Sequence, residues 1–193
     1  MKTLTEPVLK YAAALDLPED KRTGYYAQIV KALAGKTALF DRDKELMIFS
    51  SADELERLRS ILEQYAVPSE ELNVLLLPAP VTMYSAFGDY GFVSRLENVY
   101  LYADLVAVFR LRAAAETNGP LGRAFEPRQA EAQLEEHLLA AWPEPGGGSA
   151  FAVDAQLAEL CGRHCPRLRR RCGMDLFAGT VKPQKQQKTV VPR

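Results

Sequence analysis

Residues 37–77, TALFDRDKELMIFSSADELERLRSILEQYAVPSEELNVLLL, decide the fold class. Thr37 to Phe40 and Leu46 to Phe49 are short apolar runs joined by the polar stretch Asp41-Arg42-Asp43-Lys44, which predicts two strands and a turn. Ser51-Ala52-Asp53-Glu54 then has the form of a capping box, in which the Ser51 hydroxyl accepts from the Glu54 amide and the Glu54 side chain reaches back. Leu55, Leu58, Leu62 and Tyr65 follow at helical spacing, and Pro68 closes that helix. Asn73 to Leu77 is an apolar run suited to a buried strand. Strands and a capped helix alternating over so short a stretch specify an α+β protein.

Working outward, Thr5-Glu6-Pro7 reads as a helix start, with Val8, Leu9, Tyr11, Ala12 and Leu15 at helical spacing behind it. A second helix is expected from about Lys21 to Leu33, with Gly35 as its C-terminal glycine. Residues 78–98 mix Pro, Gly, Ser and aromatics without periodicity and read as loop with one helical turn. Val99 to Arg112 reads as strand or helix by pattern, and its length favours helix. Pro127 opens a further helix to about Trp142. Pro143 to Ser149 (PEPGGGS) has the composition of a flexible linker. The expected architecture is thus a small mixed sheet with several packed helices over residues 1–142, a linker at 143–150, a basic amphipathic helix at 151–172 and a disordered basic tail at 173–193.

The chain has 193 residues, 48% of them hydrophobic, and a formal charge of −1, which suits one globular domain with an appendage. All three cysteines fall between Cys161 and Cys172, which is no disulfide scaffold. The start is divided by Glu6, Lys10 and Asp16 and has no export-signal core. The most apolar later run, Val99 to Phe109, falls short of the roughly 20 residues a membrane helix needs. A cytoplasmic protein without a membrane partner is expected.

The near-neutral total conceals an asymmetry. Residues 151–193 carry nine basic and three acidic side chains, a balance of +6, which leaves −7 on residues 1–150. Arg163, Arg167, Arg169, Arg170 and Arg171 lie within nine residues, and Arg163, Arg167, Arg170 and Arg171 cluster on one face of the expected helix, opposite a stripe of Leu157, Cys161, Cys165, Leu168 and Cys172. With Lys182, Lys185 and Lys188 they are the candidate nucleic-acid-binding residues, because each guanidinium fork can give two hydrogen bonds to a phosphate. No aromatic side chain interleaves Arg163 to Arg171, so backbone binding without sequence readout is expected.

Other constellations are weaker. Cys161, His164, Cys165 and Cys172 have zinc-ligand chemistry, but the spacing lacks separated Cys-x2-Cys knuckles, and small hydrophobes on a helix stripe is the preferred reading. Gly35-Lys36-Thr37 echoes the end of a phosphate loop without its looping glycines. Asp41, Asp43 and Glu45 could gather a divalent cation for a nuclease, or be polar because the turn is exposed. His137, beside Leu134 and Leu138, reads as a partly buried structural histidine. Tyr84, Phe87, Tyr90 and Phe92 suit either a protein-docking surface or the core, and so support an alternative reading as an interaction module or inhibitor without catalysis.

The order of short strands, capped helix Ser51–Tyr65, strand Asn73–Leu77 and Phe109-Arg110-Leu111-Arg112-Ala113-Ala114-Ala115-Glu116 resembles the ParB/sulfiredoxin-like fold. In it, a Gly-Glu-Arg-Arg-like turn at a helix start binds phosphate. Plasmid fertility-inhibition proteins of the Osa type share that fold. The resemblance covers residues 37–116 and implies inhibition of conjugative transfer, ATP hydrolysis or DNA cleavage, and Mg and ATP as ligands. Val108-Phe109 precede the arginines here, without the glycine or an adjacent acid, so only Arg110 and Arg112 carry over, as phosphate contacts.

Overall fold

A computed structural model of the chain describes residues 4–16, 22–33, 36–110, 135–145, 148–157 and 175–177. The first half runs β1 (Val8–Leu15), α1 (Arg22–Leu33), β2 (Leu39–Asp43), β3 (Leu46–Phe49), α2 (Ala52–Gln64) and β4 (Ser69–Leu76). These four strands lie in the order β2-β3-β1-β4, the split-βαβ arrangement of a βαββαβ unit. Strands β6 (Gly91–Val93) and β7 (Val99–Tyr102) extend this first sheet beyond β4. A second sheet has the order β11-β8-β10-β9-β5, from β5 (Thr82–Met83), β8 (Val106–Arg110), β9 (Leu138–Pro143), β10 (Ser149–Asp154) and β11 (Asp175–Phe177). The protein is α+β as expected, but every described pairing in both sheets is antiparallel, so the expected mixed sheet is corrected.

The predicted capping box is present in full, with the Glu54 amide donating to Ser51 Oγ and Glu54 Oε2 accepting from the Ser51 amide. Leu55, Leu58, Ile61 and Leu62 bury the inner face of α2. They pack with Ile29 and Leu33 of α1 on Ala13, Leu15, Met47 and Phe49, so both helices cover one face of the first sheet. Farther along that face, Leu75 and Leu101 meet the second sheet through Leu139, Ala140, Trp142, Ala150 and Ala152, with Phe87 of α3 (Phe87–Tyr90) in the same cluster.

Three expected helices are strands where the structure describes them. Val8–Leu15 is the central strand β1, paired with β3 on one side and β4 on the other. Both faces are covered, so Ala12 and Ala13 are equally buried and the apolar run loses the alternation that marks a strand. Leu138–Pro143 misleads in the same way, since all five residues before Pro143 are buried in β9. Val99–Arg112 is interrupted at residues 103–105, where the chain leaves β7 for β8 in the other sheet. The expected linker is a hairpin connection: Ser149 stands opposite Pro143, Ala150 opposite Trp142, and the Glu144 amide donates to the Gly148 carbonyl. Residues 149–154 are therefore a core strand, so neither the linker nor a basic helix beginning at 151 survives. Residues 158–174 and 178–193, with the rest of that helix and the tail, lie outside the described residues.

The first sheet curls strongly. β2 and β7 are four strand intervals apart, about 19 Å in a flat sheet. Yet the Tyr100 hydroxyl of β7 donates to Asp41 Oδ2 of β2 at 2.8 Å. The concave face holds Ala12, Ile48, Val74, Leu76 and Tyr100, and β2 and β6 form the two edges of the curl. No described helix is long and apolar enough to cross a membrane.

Candidate functional site

Asp41 fastens the two edges together. Its Oδ2 accepts from Ser94 Oγ at 2.6 Å, Asn98 Nδ2 at 2.7 Å and Tyr100 OH. Its Oδ1 accepts from the Arg42 amide at 2.7 Å. Ser94 and Asn98 bracket the β6–β7 turn, which is closed by the Ser94 amide on the Asn98 carbonyl and by Glu97 in the left-handed region at φ 62°. Burial alone would raise the Asp41 pKa, but the four donors outweigh it and hold the carboxyl below its ordinary value. Burial and the Asp41 charge push the Tyr100 hydroxyl upward. With Asp41 only 3% exposed and both oxygens occupied, this carboxylate is a fastening and not a reactive group.

Lys10 is the second unusual residue, 7% exposed on the concave face of β1. Its Nζ donates to Ser50 Oγ at 2.9 Å and lies 3.6 Å from the centroid of the Phe40 ring. Among the described residues no carboxylate forms an ion pair with it. Burial lowers its pKa, and the Glu54 charge partly offsets that. The cation–π contact holds the Phe40 ring in place from beneath.

Beside these groups a cleft of about 310 Å³ opens between β2 and the β6–β7 turn, lined by Leu39, Phe40, Asp41, Arg42, Arg95 and Leu96. Leu39 and Phe40 are each 38% exposed and Leu96 is 66% exposed. Exposed apolar side chains, an aromatic ring and two guanidinium groups thus line a common cavity.

The expected site residues fare differently. Arg110 ends β8, where Glu6 takes its guanidinium at 2.9 Å and Glu144 pairs with its Nε. It lies on a strand, engaged by two carboxylates, instead of at a helix terminus. Arg112, Arg163, Arg167, Arg169, Arg170, Arg171, Lys182, Lys185 and Lys188 lie outside the described residues, as do Cys161, His164, Cys165 and Cys172. Tyr84 packs on the Phe109–Phe151 cluster, Phe87 is buried between the sheets, and Phe92 stacks on Tyr100 at 5.1 Å. Tyr90 donates to Asp154 Oδ2 at 2.5 Å, which raises the tyrosine pKa and lowers that of the aspartate. These four aromatics mainly build the fold.

Asp41, Asp43 and Glu45 do not assemble for a cation: Asp41 is spent, and no metal-holding group of His, Cys, Asp or Glu occurs among the described residues. Lys36 and Thr37 close the end of α1 through amides donating to the Leu33 carbonyl. His137 stands exposed in a 3-10 turn, Glu135–His137, against the expectation of partial burial. Sequence reasoning missed Lys10, Phe40, Arg95 and Leu96; a lysine inside the apolar run VLKYAAAL was the one available signal. Comparison with known families, curated proteins and solved structures finds no match for the chain.

Proposed function

We propose that the chain is a DNA-associated accessory protein that binds nucleic-acid backbone through Arg163, Arg167, Arg169, Arg170 and Arg171, assisted by Lys182, Lys185 and Lys188. The observation that carries this reading is where those arginines fall along the chain. They lie between β10, which ends at Asp154, and β11, which begins at Asp175, and these two strands flank β8 on its two sides. The described strands on either side of the arginine-bearing segment, β10 and β11, thus both belong to the second sheet. The +6 balance of residues 151–193 supplies the attraction.

The Osa-type resemblance would set this binding in a plasmid or other mobile element, as inhibition of conjugative transfer. ATP or DNA hydrolysis with Mg belongs to that resemblance, and no catalytic residue of this chain is assigned to it. The rival reading, docking on a protein through Tyr84, Phe87, Tyr90 and Phe92, is weakened by their use in packing and hydrogen bonding.

Truncation after residue 150 would remove most of β10 and test folding more than binding. The discriminating protein carries R163Q, R167Q, R169Q, R170Q and R171Q together in the full chain, with circular dichroism confirming that it folds. Anisotropy of a labelled DNA duplex at low salt should show tight binding by the native chain and loss of most of it in this variant. Equal binding by both removes the proposal.

A further inference from the structure

We propose that the cleft between β2 and the β6–β7 turn is a binding site for one nucleotide unit, a planar base with its phosphate, presented as a free nucleotide or as an unpaired residue of single-stranded nucleic acid. The site shares no residue with the arginine segment.

Size and lining point the same way. About 310 Å³ lies at the lower end of the range for small-molecule sites, which begins near 300 Å³, and suits one small ring system. Leu39, Phe40 and Leu96 give it exposed apolar walls. Arg42 and Arg95 are both in the lining, and Arg95, exposed on the β6–β7 turn, is the cation assigned to the phosphate. The only acid in the lining is Asp41, whose oxygens are occupied by the latch, so the charge offered to a ligand is positive.

Phe40 is prepared as a stacking platform. The Lys10 ammonium lies 3.6 Å from the centroid of its ring, and Phe40 is at the same time one of the residues that line the cleft. A cation beneath an aromatic ring draws its π density inward, which makes the outer face a better partner for an electron-rich base. The ammonium also fixes the ring, reducing the ordering cost when a base stacks on it.

An extended peptide is the less suitable occupant. The β2 edge is blunted by an irregularity between Leu39 and Asp41, and the Arg42 amide is already taken by Asp41, so no continuous ladder is offered to an added strand.

The test measures binding of ADP by calorimetry and of a fluorescein-labelled twelve-residue oligothymidylate by anisotropy. It compares native protein with F40L and R95A; Arg95 is an exposed turn residue, so R95A folds even if F40L does not. ADP binding that weakens about tenfold or more in F40L and in R95A supports the site with a free nucleotide as its source. Oligothymidylate binding alone, weakened in the same way, supports it with single-stranded nucleic acid as the source. Duplex binding should be unchanged in both variants, which separates this site from the arginine segment. Absence of binding to either probe at millimolar concentration, or binding that both substitutions leave unchanged, overturns the proposal.

Discussion

Asp41 joins β2 to the β6–β7 turn and β7 through one carboxylate. Replacing it with asparagine leaves three donors, Ser94, Asn98 and Tyr100, facing an uncharged amide that cannot accept from all of them. A loss of about 3 kcal/mol is expected, read as a shift in the urea midpoint. The pH dependence follows from the direction of its pKa. Because the folded-state value lies below the ordinary 3.8, the contribution is fully present above that pH and is lost as pH falls below it. Urea titrations from pH 6 down to pH 2.5 should show the native chain losing more stability than D41N over that final interval. Equal losses would mean that the latch carries no charge-dependent stabilisation. From sequence, Asp41-Arg42-Asp43 looked like an exposed turn, because the partners of Asp41 come from residues 94–100, more than fifty positions away.

Among elements, α2 was legible in full because a capping box is local: Ser51, Glu54 and the stripe of leucines carry their own geometry. S51A should cost about 1 kcal/mol, and a capping aspartate, S51D, should restore most of it. The hairpin β2–β3 was also legible, although the turn is only Lys44–Glu45, with Lys44 at φ 49°. β1 and β9 were not legible, since strands covered on both faces show no alternation and their apolar runs imitate helices. β6 depends on a close approach no spacing reveals: a Cβ on Gly91 would lie 2.2 Å from the Tyr100 carbonyl oxygen. G91A should therefore push β6 away from β7, at a cost of about 2–3 kcal/mol by thermal melting. It should also loosen the β6–β7 turn that carries Ser94, Arg95 and Leu96, and so weaken ligand binding at the cleft. Unchanged stability would contradict the pairing of β6 with β7.

For the whole molecule, the two sheets share one apolar layer, and Phe151 sits at 5.4 Å from Phe109 on the second sheet's other face. F151A is expected to cost about 3–5 kcal/mol, which calorimetry would show as a marked fall in melting temperature. The α+β class was legible from residues 37–77, but the candidate cleft was not, because the curl that joins β2 to the β6–β7 turn exists only in three dimensions. The asymmetry of charge was legible at once, being a property of composition, and it remains the basis of the proposed function. The most direct measurement is therefore the salt dependence of duplex binding by the native chain. If the five arginines contact phosphates, log K against log salt should fall with a slope of about −0.9 per contact, near −4.5 in total. Replacing them with glutamine should flatten that slope. A native slope near zero, or one unchanged by the five substitutions, would contradict binding through this segment.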